Sequence, residues 1–131
     1  MLLTVLGVAY QRSPFDPFVD PTQCQLDAAL MKTLGVNTIR GTPVLLKSLL
    51  TQAYHVDPNG DHDGCMQAFS DAGIYLFLDV DTFDTMINQT SPSWPAYSYT
   101  AFTKVIDAFG KYDNVAGFFI SNEVLTLGHS D

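Results

Sequence analysis

Apolar residues along this chain gather in two alternating patterns. Short continuous runs rich in β-branched and aromatic residues alternate with longer stretches in which apolar positions recur about every three to four residues. The first run, "LLTVLGVAY" (2–10), reads as a strand, and a Pro-containing loop from Arg12 to Pro21 follows it. "TQCQLDAALMKTLG" (22–35) reads as a helix with Cys24, Leu26, Leu30, Met31 and Leu34 near one face, ended by Gly35. "VNTIR" (36–40) is the next strand. "HDGCMQAFSDAG" (62–73) is a second helix stopped by Gly73, with Asp61 or Asp63 near its start, where the helix dipole favours negative charge. "IYLFLDV" (74–80) is an apolar strand ending near Asp79, "YSYTAFTKVIDAFGKY" (97–112) a third helix, and "NVAGFFISNEV" (114–124) a fourth strand.

Strand and helix therefore alternate throughout, which argues for a parallel sheet with crossover helices. The strands are apolar on both faces, as a sheet covered by helices requires. A doubly wound sheet and a (β/α)8 barrel both accommodate four such units. In either, chemistry gathers at the carboxyl ends of the strands, where Arg40, Asp79 and Glu123 lie. One segment breaks the rhythm: "GTPVLLKSLLTQA", Gly41 to Ala53, is an apolar excursion where a short loop is expected.

Composition narrows the partners. The 131 residues are 47% hydrophobic and 15% charged, enough apolar content for the core of one domain or of part of a larger one. A net charge of −8 argues against nucleic acid and anionic membrane surfaces, and leaves neutral ligands such as sugars open. The apolar start "MLLTVLGVAY" has no positive n-region and reads as a buried strand rather than a signal peptide, and no run reaches membrane-spanning length.

The chain holds thirteen aspartates but a single glutamate, Glu123, set behind the apolar run "GFFI" and Asn122. Apolar surroundings disfavour the charged carboxylate and raise its pKa toward the range of a general acid. The plainer alternative is a helix-capping or salt-bridged glutamate. Asp79 likewise either serves a site or caps the next turn. "NGDHDG" (59–64) imitates the start of a calcium loop, but Ser70 stands where the bidentate acid belongs, so no calcium site is expected. His55 and His62 lack partners at zinc spacing and read as ordinary polar positions. Tyr10, Tyr54 and Trp94 are candidate sugar-stacking rings, although aromatics are usually packing residues. Cys24 and Cys65 are either inert buried thiols or a disulfide, and Asn88 opens a glycosylation sequon.

Six stretches taken in order resemble one family. They are "GVAYQ" (7–11), "DPFVDPTQCQLD" (16–27), "LGVNTIR" (34–40), "YHVDPNGDHDGCMQAFSDAGIYLFLDV" (54–80), "INQTSPSW" (87–94) and "VIDAFGKYDNVAGFFISNEV" (105–124). The family is the fungal β-1,3-glucanosyltransferases of glycoside hydrolase family 72, retaining enzymes built on a (β/α)8 barrel. The resemblance implies that residues 1–131 are the amino-terminal half of the catalytic domain, with strands one to four and an atypical insertion at 41–53. It implies Glu123 as the acid/base, with Gln11, Tyr54, Asp79 and Asn122 contacting the glucan donor. It further implies a Cys24–Cys65 disulfide, with the two cysteines at the starts of the first and second helices. Neither metal nor organic cofactor is implied. The family's members are secreted, held at the plasma membrane by a lipid (GPI) anchor, and act on cell-wall β-1,3-glucan.

The family's nucleophile is a glutamate at the end of strand seven, and nothing in this sequence matches it. The chain is therefore expected to carry half of the catalytic pair and to be inactive alone. The other functional expectation is a non-catalytic β-glucan-binding fragment. The insertion, which stands where the family runs straight from arginine to tyrosine, is expected to displace Tyr54.

Overall fold

The structure, a computed structural model, describes residues 4–11, 16–41, 56–81, 85–88 and 90–121. Four short strands alternate with three helices: β1 (Gly7–Tyr10), α1 (Pro21–Thr33), β2 (Thr38–Gly41), α2 (Asp63–Asp71), β3 (Tyr75–Asp79), α3 (Ala96–Phe109) and β4 (Val115–Phe119). Their boundaries follow local chemistry. Asp20 caps α1 by accepting from the Gln23 amide at 3.1 Å, and Pro21 occupies the first helical turn, where its missing N–H costs nothing. Gly35 and Gly73, both at φ 75°, turn the chain out of α1 and α2 in a conformation that other residues rarely adopt.

All strand pairs are parallel and the sheet order is β1-β2-β3-β4. With right-handed crossovers, a chain that always steps to the same side lays every helix on the same face of the sheet. That is the winding of a barrel, not of a doubly wound sheet, and it agrees with a partial (β/α)8 barrel of four units.

The two faces differ accordingly. Tyr10, Ile39, Leu76, Leu78 and Val80 point to the helices and are buried with Met31, Met66, Phe69, Phe102 and Phe109. Phe18, fully buried, sits among Tyr10, Phe69 and Phe109 with ring centroids 5.7–6.2 Å apart. Gly41 lies under that ring, and a Cβ there would come within 2.7 Å of it. The opposite face carries Arg40, Tyr75, Phe77, Asp79 and Phe119, and no described helix covers it. The expectation of helix cover on both faces is thus corrected: the strands are apolar on both sides because a barrel sheet has an interior as well as a helix layer.

The expected face of α1 is also corrected. Cys24, Ala28 and Met31 are buried, whereas Leu26, Leu30 and Leu34 are exposed. At about 100° per residue, Leu26 lies roughly 200° around the axis from Cys24, so the two cannot share a face. Helical spacing alone linked two opposite stripes.

Cys24 and Cys65 form a disulfide with their Cα atoms 5.2 Å apart, joining the starts of α1 and α2 as the family resemblance implied. The bridge closes a sequence separation of 41, a loop length for which chain-entropy arguments give about 4 kcal/mol of stabilisation. The excursion at 41–53 lies, apart from Gly41, outside the described residues.

Candidate functional site

At the carboxyl end of the sheet two charges meet. Arg40 pairs in register with Phe77, so Asp79, two residues on, lies on the same face and one step nearer the rim. Arg40 closes on it in fork geometry: Nε donates to Oδ1 at 3.1 Å and Nη2 to Oδ2 at 3.0 Å. The guanidinium also lies over the Phe119 ring, 4.5 Å from its centroid, and Phe119 packs against Phe77. Gly117 leaves room for that Phe77 ring, which a Cβ would approach to 3.1 Å. Strand β2 thus gives Arg40, β3 gives Phe77 and Asp79, and β4 gives Phe119 to a single charged and aromatic cluster.

Asp79 is almost wholly shielded, with 3% of its side chain exposed, whereas Arg40 keeps 35%. Burial pushes the Asp79 carboxyl above its ordinary value, more than the hydrogen bonds and charge of Arg40 pull it down. Its two oxygens are already held by Arg40, which makes it a fixed acceptor at the rim rather than a free nucleophile.

Around this cluster the structure sorts the expected site residues. Gln11 follows β1 at the same end of the sheet and is exposed. Tyr54, Asn122 and Glu123, and with Tyr54 its expected displacement, lie outside the described residues; β4 leads toward the last two. Tyr10 is no stacking platform: it is buried in the core, and its hydroxyl donates to Asp27 at 2.8 Å. Trp94 is half exposed and packs edge-on against Phe102. Asn88 is exposed, and its side-chain oxygen accepts from the Thr90 hydroxyl at 2.8 Å, so the two polar residues of the sequon are in contact.

Two groups escaped the sequence. Arg40 was legible as a strand end but not as the partner of Asp79; the signal was two opposite charges at the ends of adjacent strands on one face. His62 is not an ordinary polar position. It is 2% exposed, its Nε2 lies 2.9 Å from Asp16 Oδ2, and its ring lies 4.4 Å from the Phe109 ring centroid. The same Asp16 oxygen accepts from the Asp57 amide at 2.7 Å, so one buried pair fixes the loop after β1 to the loop after β2. Nothing in a lone histidine's spacing announces an aspartate 46 residues earlier. Among the described residues no cluster of His, Cys, Asp or Glu could hold a metal, and no helix is long and apolar enough to cross a membrane. In the imitation calcium loop Asp61 accepts from the Asp63 amide, and the Asp63 carboxylate accepts from Lys111 and from the Tyr112 hydroxyl.

Beyond the Asp79 loop runs a cleft of about 560 Å³ between β3, residues 56–59 and α3. Asp79 and Tyr97 are both among the residues that line it.

Comparison with known proteins agrees with this geometry. A sequence profile of the family described as Glucanosyltransferase, glycoside hydrolase family 72, matches residues 3–130. The chain is 37% identical over 116 residues to the 1,3-beta-glucanosyltransferase GAS2 of Saccharomyces cerevisiae, a match covering 88% of this chain and 19% of that protein. It is 40% identical to gas4 of Schizosaccharomyces pombe, covering 92% of this chain and 25% of the relative. It is also 40% identical to gel1 of Aspergillus fumigatus, with 96% and 26% covered. The chain therefore spans about a fifth to a quarter of the length of these curated relatives. Its fold is similar to crystal structures of the Saccharomyces cerevisiae Gas2 protein. The complex with laminaritriose and laminaritetraose matches with a TM-score of 0.76 at 37% identity, over 92% of this chain and 26% of that one. A point mutant of Gas2 with laminaritetraose and laminaripentaose matches with a TM-score of 0.76 at 36% identity, over 92% and 25%.

The state of Asp79 predicts a pH signature. Because its folded-state pKa is raised, its contribution to stability is full below the unfolded value, about 3.9, and is lost as pH rises through the folded value. Urea unfolding of the native chain and of Asp79→Asn across this range should show the difference between them moving in favour of Asn as pH rises, then levelling. A difference that moves the other way would mean that Arg40, and not burial, controls the carboxyl.

Proposed function

Since the chain belongs to the glucanosyltransferase family, glycoside hydrolase family 72, we propose that its 131 residues form the amino-terminal half of a β-1,3-glucanosyltransferase catalytic domain. In this reading they carry the acid/base side of the donor site. The observation that carries it is the Arg40–Asp79–Phe119 cluster, which puts a fixed acceptor and an exposed aromatic edge at the carboxyl rim of three adjacent strands, with β4 leading to Asn122 and Glu123. Gln11, Tyr54, Asp79 and Asn122 then contact neutral glucose units, and Glu123 is the proton donor. The excursion at 41–53 is an insertion between β2 and Tyr54.

Glu123 would protonate the leaving glycosidic oxygen and later take the proton of the acceptor sugar's hydroxyl. Help of this kind contributes about 10²–10⁴-fold in rate. A retaining transfer also needs a second carboxyl roughly 5–5.5 Å from the first, to form and release the covalent glycosyl intermediate. Glu123 is the single glutamate of these residues, and Asp79 is buried and engaged by Arg40. The 131 residues by themselves therefore bind glucan without completing transfer. The binding-only reading draws on the same pair: an acceptor held by Arg40 suits recognition better than attack.

The disulfide suits an oxidising compartment, so we place the protein in the secretory pathway and at the cell surface, with a GPI anchor in the full-length form and a glycan at Asn88. Endoglycosidase treatment of the protein from its native host should remove mass, and Asn88→Gln should remove the same mass. An unchanged mass in both would show that Asn88 carries no glycan.

Incubation with a reduced laminari-oligosaccharide tests the activity. The 131-residue chain should yield no longer products. The same chain extended by four further strand–helix units should yield them, and Glu123→Gln should abolish them there. Products from the 131 residues alone, lost on Glu123→Gln or Asp79→Asn, would show that these residues already hold a working carboxyl pair.

A further inference from the structure

The cleft beside Asp79 has a use that the cluster at the strand ends does not explain. On α3, Tyr97, Thr100 and Lys104 stand at i, i+3 and i+7, so they share one face of the helix, and that face lines the cleft. Opposite them are Asp57 and Asn59, with Val80 between as apolar floor. This opposite wall is preset. The Asp57 carbonyl accepts from the Gly60 amide at 2.9 Å, Asp57 Oδ1 accepts from the Asn59 amide at 2.9 Å and from its side chain at 3.0 Å, and the Asp57 amide is tied to the buried Asp16–His62 pair. Tyr97 leaves 63% of its surface in solvent.

A broad exposed ring, an apolar floor and convergent hydroxyl, amide, carboxylate and ammonium groups form the lining that pyranose sugars use, with C–H faces on the ring and hydroxyls on the polar groups. About 560 Å³ falls within the usual range of ligand clefts. With Asp79 already paired to Arg40, Asp57 and Asp81 against Lys104 leave the lining mildly acidic, which disfavours anionic ligands and suits uncharged ones. We propose that this cleft is an additional binding position for neutral glucan units, with Tyr97 as its stacking platform, taking the part of a glucan chain that extends past Asp79 over α3. The proposal rests on the glucan reading given above.

Calorimetric titration of the 131-residue chain with laminaritriose and laminarihexaose tests it. A triose fills the rim or the cleft, whereas a hexaose reaches both, so the native chain should bind the hexaose more tightly. Tyr97→Ala should remove that gain, about tenfold in Kd, while leaving the triose within about twofold, and Tyr97→Phe should keep it. Should Tyr97→Ala lower the melting temperature, Lys104→Ser on the same exposed helix face takes its place with the same expected loss. If both sugars bind and the hexaose is unaffected by these substitutions, the cleft is not a glucan position and the rim site stands. If neither sugar binds the native chain, the glucan reading and this proposal fall together.

Discussion

The direction of winding governs the rest of this structure. Each strand is laid beside the previous one on the same side, and right-handed crossovers then leave every helix no choice but one face. The apolar material divides in consequence. Phe18, Phe69 and Phe109 fill the helix layer, while the other face is left to Arg40, Phe77, Asp79 and Phe119. A charged pair can form there because no described helix covers that face. The cluster at the strand ends is thus a product of topology before it is a matter of particular residues.

Around that frame, two devices hold the loops that the site needs. The disulfide fastens the start of α1 to the start of α2, and the buried Asp16–His62 pair fastens the loop before α1 to the loop before α2. The pair would be expensive to bury if its polar atoms lacked partners, but Asp16 also accepts the Asp57 amide and the histidine ring rests on Phe109. The wall of the cleft formed by Asp57 and Asn59 is therefore held from beneath, so little ordering is left for a ligand to impose.

Much of this was legible in the sequence because strand and helix runs differ in length and period. The end of α1 at Gly35 and of α2 at Gly73 follow from glycine's freedom at positive φ. What periodicity could not supply was orientation. Cys24 and Leu26 belong to opposite sides of α1, a distinction that only the angle per residue resolves. Long-range pairs were equally silent: Arg40 with Asp79 and His62 with Asp16 depend on strand register and loop path, which no local pattern encodes. The cysteine bridge came from family resemblance rather than spacing. Tyr10 was open to either a stacking or a packing reading because an aromatic residue type suits both, and it is buried in the core.

The central claim is that the carboxyl rim of this sheet receives β-1,3-glucan. Titrating laminaritetraose into the isotope-labelled chain and following backbone amide signals tests it most directly. The account predicts saturable shifts at Arg40, Asp79 and Phe119, with the amino-end residues Thr38 and Tyr75 unmoved. Saturable shifts confined to the amino end, or none at all in a folded chain, would contradict it.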